Sequence, residues 1–424
     1  MNILVCPLGS AGDVHPFVGL GEVLARRGHR VKVLVNAYFE SIVRRAGLEF
    51  VEFRTAEEFL RLSNHPDLWH PRKGFFYIAR NAILPGMRPQ YELIASHVEP
   101  GETVVISSIL GFGARIAHER LGVPLVSVHL QPAVFWSDEH PPQFAGTPSF
   151  TPQWLRRHLF HWGERLVISP VLGPETNAFR RELGLPPVNR FLSRWVHSPQ
   201  AVIGLFPEWY CPPQSDWPVN THLANFPLWD ERDITPVPEP LAAFLAAGDP
   251  PVIFTPGSAM MFGQDFFSAA VAACVRLGRR GVLLTRFSEQ IPQHLPESVQ
   301  HFDFAPFSKV FPRSAAVVHH GGIGTTAQGL AAGVPQLIMP MSHDQPDNAA
   351  RLVELGVGDW LSTKKFTPAR IADKLARLLQ SEEVATRCGE IRSRLLGVDG
   401  LSLACDRIEE LAGRACHDGP AGVL

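Results

Sequence analysis

The 424-residue chain has little net charge, few cysteines and no apolar run long enough to span a bilayer, and each shortage removes a class of function. Lysine and arginine total 39 against 41 aspartates and glutamates, a formal charge of −2, which gives nucleic acid no basic footprint to bind. The six cysteines, Cys6, Cys211, Cys274, Cys388, Cys405 and Cys416, include no Cys-x-x-Cys pair and are too sparse for a disulfide scaffold. Such usage fits a reducing compartment. The opening MNILVCPLG reads as a β-strand and lacks the basic head and small-residue cleavage site of a secretory leader, so a cytoplasmic protein is expected, free or peripheral to the membrane. No internal repeat or low-complexity tail interrupts the pattern.

What is present is a chain too long for one hydrophobic core, so two domains are expected. Asn2–Pro7, Val31–Val35, Thr103–Ser107 and Leu125–Val128 read as strands of one parallel sheet, with helices such as Val14–Arg27 between them. Val252–Thr255, Gly281–Leu284, Ala315–Val318 and Gln336–Met339 form a second set. The Pro-rich stretch Tyr210–Pro218 is taken as the link, and Pro236–Pro240 as a loop inside the second domain. The fold class is therefore α/β with two Rossmann-like sheets.

The most informative segment is VVHHGGIGTTAQGLAAGVPQLIMPMSHDQPDNA, Val317 to Ala349. A strand ending at Val318, a tight turn over His319–Gly324, a helix over Thr325–Ala332 stopped by Gly333 and Pro335, and a strand from Gln336 to Met341 are expected. In an open α/β sheet the turn and the helix N-terminus then face a ligand beyond the strand ends, with free amides suited to a diphosphate. Gly322 and Gly324 let backbone approach that anion, and Thr325, Thr326 and His320 can donate to it, whereas His319 at the strand end is read as packing. Asp344 and Gln345 offer groups for sugar hydroxyls. Two structural alternatives stay open: Thr325-x-x-Gln328 is also a capping-box pattern, and Asp344 could cap a helix over Pro346–Leu355. Upstream, Thr255-Pro-Gly257-Ser258 follows a strand and can present further amides and a hydroxyl to a phosphate.

With those motifs in hand, the segment resembles the donor-binding signature of family 1 glycosyltransferases of the GT-B fold. GSAGDVHPFVGLGEVLARRGHRV (Gly9–Val31), ARIAHERLGVP (Ala114–Pro124), HSPQ (His197–Gln200), the run Trp217–Leu228 and HDQPDNA (His343–Ala349) are similar to the bacterial branch, which includes glycopeptide, sterol and rhamnolipid enzymes. The resemblance implies an acceptor-binding domain over 1–213, a nucleotide-sugar-binding domain over 214–398, and a helix in 399–424 crossing back onto the first.

It also implies roles. The His-Gly-Gly turn at His320 would hold the diphosphate and the Asp344–Gln345 pair the sugar. Arg286 would lie beside the base or ribose, unless it is a surface arginine, and Phe304 and Ala305 in FDFAPF would meet the pyrimidine, unless they only pack. Asp13 would be the general base, with a helix cap as its competing role and His15 as the second choice; Ser10 shares that loop. Inverting transfer with no metal and no cofactor is implied. Gln328 stands where many relatives carry a ribose-binding glutamate, which suits a deoxyribonucleotide and tilts the donor toward dTDP-rhamnose, with UDP-glucose second. Aromatic residues Trp69, Phe75, Phe76, Tyr77, Phe135, Trp136, Phe144, Phe150 and Trp154 suggest a lipophilic hydroxyl acceptor such as a hydroxy fatty acid, flavonoid, sterol or polyketide, although core packing is the first reading for any single one of them. A GT-B nucleotide-sugar epimerase and a non-catalytic nucleotide-sugar-binding protein are the competing readings.

Overall fold

The computed structural model describes residues 1–143, 151–257 and 263–417. Within these residues the strands form two sheets, and every strand pairing in both is parallel. The first contains β1 (Asn2–Cys6), β2 (Arg30–Val35), β3 (Glu49–Glu52), β4 (Thr103–Ser107), β5 (Leu125–His129), β6 (Ala201–Gly204) and β7 (Thr221–Leu223), in the order 3-2-1-4-5-6-7. The second contains β8 (Val252–Thr255), β9 (Gly281–Leu284), β10 (Val299–Phe302), β11 (Ala316–His319), β12 (Gln336–Ile338) and β13 (Gly358–Trp360), in the order 10-9-8-11-12-13. Central strands such as β1, β4, β5 and β8 are buried at every position, because helices cover both faces of a parallel sheet.

Both orders reverse once, between β1 and β4 in the first sheet and between β8 and β11 in the second. Beyond the carboxyl ends at such a switch point the loops diverge and leave a crevice. The turn after β1 ends at Ser10 and opens the helix that carries Asp13 in its first turn, and the loops after β8 and β11 hold Gly257 and His320.

The chain leaves the first sheet after Leu223, not at residue 213. Tyr210–Pro218, expected as the link, lies between β6 and β7, with Tyr210, Cys211 and Trp217 buried. Behind the cleft a single apolar cluster joins the halves, bringing Phe206, Tyr210 and Phe226 against Ala327, Leu330 and Leu352. The Gly400–His417 helix returns to the first half, where Leu401, Ala404, Cys405 and Ile408 join the core built on the Ala11–Arg26 helix. Gly19 permits that crossing, since a Cβ there would lie 2.9 Å from Leu401 Cδ1. Arg27 then reaches Asp406 and Glu409, each at 2.7 Å.

Candidate active site

A cavity of about 770 Å³ lies between the two sheets, lined from both halves. Ser10, Asp13 and His15 line it on one side; Gly257, Arg286, Phe304, Ala305, His320, Gly322, Gly324, Thr325, Gln328, Asp344 and Gln345 line it on the other. Ser258, Phe144 and Phe150 lie outside the described residues. Thr326 is the exception among the expected ligand residues: it is fully buried and does not line the cavity. Its carbonyl accepts from Gln336 Nε2, so its place is in the helix packing.

The helix after β11 starts two residues earlier than expected, at Ile323, with Gly322 as its N-cap and no side-chain cap. Thr325 is thus in the first turn and Gln328 in the second, so the capping-box alternative falls away and both side chains line the cavity. The uncapped amides of the first turn have no intrahelical acceptor, which leaves them and the positive end of the dipole for an anion.

The paired histidines differ in their surroundings. His319 is buried, with Nε2 2.9 Å from Gln336 Oε1, and its Nδ1 accepts from Gly321 N at 3.1 Å, so it ties β11 to β12. His320 lies between two glycines: a Cβ on Gly257 would come within 2.6 Å of its ring and one on Gly322 within 2.5 Å. Only glycine leaves that slot open, and Gly257 also has a φ of 101°. His320 Nδ1 is buried without a hydrogen-bond partner among the described residues. Burial, then the neighbouring His319, pushes its pKa down to about 3, so the ring is neutral and offers a hydrogen bond to a ligand, not a fixed charge.

Asp344 occupies the N-cap position of the Gln345–Glu354 helix but makes no side-chain cap bond. Its Oδ2 instead accepts from Asn348 Nδ2 at 2.7 Å. Burial, then the negative charge of Asp13 across the cleft, pushes Asp344 up to about 7, while the Asn348 bond acts the other way. Gln345 Oε1 is already occupied, accepting from Met341 N at 2.8 Å and Ser342 N at 3.2 Å. Its amide donors are what remain for a ligand.

On the facing side, Asp13 is the third residue of the Ala11–Arg26 helix, and Ser10 is the N-cap. The capping role is therefore real, with Ser10 N and Ser10 Oγ both donating to Asp13 Oδ2 at 2.8 and 3.0 Å. Both bonds fall on one oxygen and leave Oδ1 for a substrate. Gly9, at φ 133°, makes the contact possible, since a Cβ there would lie 2.2 Å from Asp13 Oδ2. Asp13 is open to the cleft yet ringed by protein, and that burial raises its pKa against the lowering effect of the Ser10 bonds. His15 moves the opposite way, to about 4, through burial and then the charges of Arg286 and Arg45. Of the two, Asp13 is the stronger base than its type would ordinarily be and His15 the weaker.

Arg286 is exposed at the cavity wall, with its guanidinium 4.9 Å from the centre of the Phe304 ring in a cation–π pair. The aromatic residues expected around an acceptor separate more widely. Trp69 and Tyr77 line the cleft, Phe135 is buried against Trp217, Phe75 and Trp136 pack in a lateral core, and Trp154 is 64% exposed.

Several cleft residues were not anticipated. Ser108 and His129, just after β4 and at the end of β5, line the cavity with buried Oγ and Nδ1 atoms that lack partners among the described residues. Their positions at strand carboxyl ends are the signal that could have found them. Asn348 links Gly321 O, Asp344 and Tyr210 Oη, at 2.9, 2.7 and 3.0 Å, so one buried amide holds both donor-side loops. His343, at φ 57°, has its Nε2 3.0 Å from Leu68 O in the opposite half. Among the described residues no group of three His, Cys, Asp or Glu side chains is placed to hold a metal ion.

Comparison with known proteins agrees with this arrangement. The glycosyltransferase family 28 N-terminal domain matches residues 3–134, and the erythromycin biosynthesis protein CIII-like C-terminal domain matches residues 280–397. The O-mycaminosyltylonolide 6-deoxyallosyltransferase of Streptomyces fradiae is 30% identical, over 97% of this chain and 98% of its own. A sterol 3-beta-glucosyltransferase of Arabidopsis thaliana is 26% identical, over 96% of this chain and 67% of its own. Among solved structures, the spinosyn rhamnosyltransferase complexed with thymidine diphosphate superposes with a TM-score of 0.69 at 17% identity, covering 96% of this chain and 100% of that one. With two parallel-sheet halves enclosing one cleft and relatives that match it end to end, the chain belongs to the GT-B glycosyltransferases.

Proposed function

We propose that the chain is an inverting, metal-independent hexosyltransferase that moves a sugar from a nucleoside diphosphate to a hydroxyl of a lipophilic small molecule. The observation that carries this reading is Asp13, a half-buried carboxylate on one wall, facing the helix N-terminus, His320 and Asp344 on the other. Asp13 Oδ1 takes the acceptor hydroxyl proton as that oxygen bonds to the sugar's anomeric carbon, and the bond to the diphosphate breaks on the opposite side. The configuration inverts. First-turn amides and a hydrogen bond from neutral His320 receive the departing charge. Arg286 and Phe304 form a planar, cationic shelf suited to a pyrimidine base.

Rhamnose from dTDP is the first choice of donor and glucose from UDP the second. Gln328 on the cavity wall offers an amide where a carboxylate would grip a ribose diol, and the spinosyn relative was solved with thymidine diphosphate. The named acceptors of the two sequence relatives, a tylonolide macrolide and a sterol, support a lipophilic alcohol, as do Trp69 and Tyr77 in the cleft. No cofactor beyond the donor is part of the proposal. The test is incubation with dTDP-rhamnose or UDP-glucose, with and without a panel of lipophilic alcohols. Nucleoside diphosphate released only when an alcohol is present supports transfer. An epimeric nucleotide sugar formed without acceptor, or binding with no turnover, overturns it.

A further inference from the structure

The segment Gln153–Ile168 presents an unusual surface. Its inward side is anchored by Phe160 edge-on to Trp136 at 5.1 Å, by buried Ile168, and by Glu164, whose carboxylate accepts Leu192 N and Ser193 N at 2.9 and 3.0 Å. Its outward side leaves Trp154 64%, Trp162 62%, Leu166 68% and Leu159 48% exposed. Trp154, His158, Trp162 and Leu166 recur every four residues, so they form one stripe along the helical run. Arg157, His161 and Arg165 recur at the same spacing one position earlier and form a basic stripe beside it. Asp138 pairs with Arg157 and His161, while Arg165 and Arg80 are exposed and have no ion pair among the described residues.

Large apolar side chains are seldom left in water in a contiguous group, and tryptophan beside arginine is the composition that settles at the boundary of headgroups and acyl chains. A shallow groove of about 440 Å³ continues the patch, walled by Phe76, Leu84, Leu166 and Val167 with one arginine, Arg80, and one carboxylate, Glu175, in its lining. The helical run that supplies Phe76, Arg80 and Leu84 to this groove supplies Tyr77, Ile78 and Ile83 to the catalytic cleft.

We propose that the Trp154–Val167 face is a docking surface for an anionic phospholipid bilayer, with Trp154, Trp162 and Leu166 entering the interface and Arg80 and Arg165 meeting headgroup phosphates. A bilayer seated there would lie against the helical run that also lines the catalytic cleft.

The test is co-sedimentation of the full chain with phosphatidylcholine vesicles, with and without phosphatidylglycerol, for the wild type and for Trp154→Ser/Trp162→Ser. The wild type is expected to partition onto the anionic vesicles, and the double variant to bind at least about tenfold more weakly. Both positions are solvent-exposed, so thermal unfolding and nucleoside diphosphate affinity should be unchanged, which separates lost docking from lost folding. Absence of wild-type binding, or equal binding by the variant, overturns the proposal. A concentration-dependent dimer that the two substitutions abolish, without vesicle binding, would overturn it in favour of a second copy of the chain.

Discussion

Gly9, Ser10 and Asp13 show how one residue can serve the fold and the chemistry together. Ser10 ties down Oδ2 and fixes the rotamer, while burial raises the pKa of the same carboxylate. Asp344 carries the plainer cost. Its pKa of about 7 in the folded chain exceeds the ordinary value near 4, so the folded state holds the proton more tightly and stability falls as pH rises from about 4 to about 7. Asp344→Asn cannot ionise and keeps an oxygen for Asn348. It should unfold higher than wild type by about 2 °C or more at pH 8, with the gap closing toward pH 4 in thermal melts; an equal gap at both values would remove the charge as the cause. His320→Ala should weaken nucleoside diphosphate binding by about tenfold, on the scale of one hydrogen bond in a buried site, while leaving the melt close to wild type. Unchanged affinity by calorimetry would put the phosphates elsewhere. The split between His319 and His320 was readable because one closes a strand and the other opens a glycine turn. The occupation of Gln345 Oε1 was not, because it depends on where the chain folds at Met341 and Ser342.

At the level of elements, the strand–turn–helix unit over Ala316–Ala332 was legible from its apolar run, glycines and terminal Gly333-Val-Pro335. Its helix start was missed by two residues, since Gly322 caps by backbone geometry and carries no side-chain signature. Strand β7 escaped notice for a similar reason: its three residues follow a proline-rich stretch that looks like a linker. The Gly400–His417 helix makes the clearest energetic statement. Ile408 is fully buried against the first domain, so Ile408→Ala should cost about 2–5 kcal/mol in denaturant unfolding without altering nucleoside diphosphate affinity. A cost under about 1 kcal/mol would mean that this helix does not dock in solution as described.

For the molecule as a whole, two switch-point crevices are turned toward each other, and the apolar cluster behind them keeps the halves in register. Sequence patterning revealed each crevice separately. What it could not show is which groups meet across them: His343 reaching Leu68, Arg286 acting on His15, and the charge of Asp13 raising Asp344. Nor does composition distinguish Trp69 in the cleft from Trp154 on the outer face. On the proposed mechanism the first half supplies the base and the second the diphosphate site, and Asp13→Asn separates the two, because asparagine can still accept the Ser10 bonds but cannot take a proton. The measurement is nucleoside diphosphate affinity by calorimetry beside acceptor-dependent turnover for that one variant. Affinity within about twofold of wild type with turnover lower by about two orders of magnitude or more is the expected result; turnover near the wild-type rate would contradict the account.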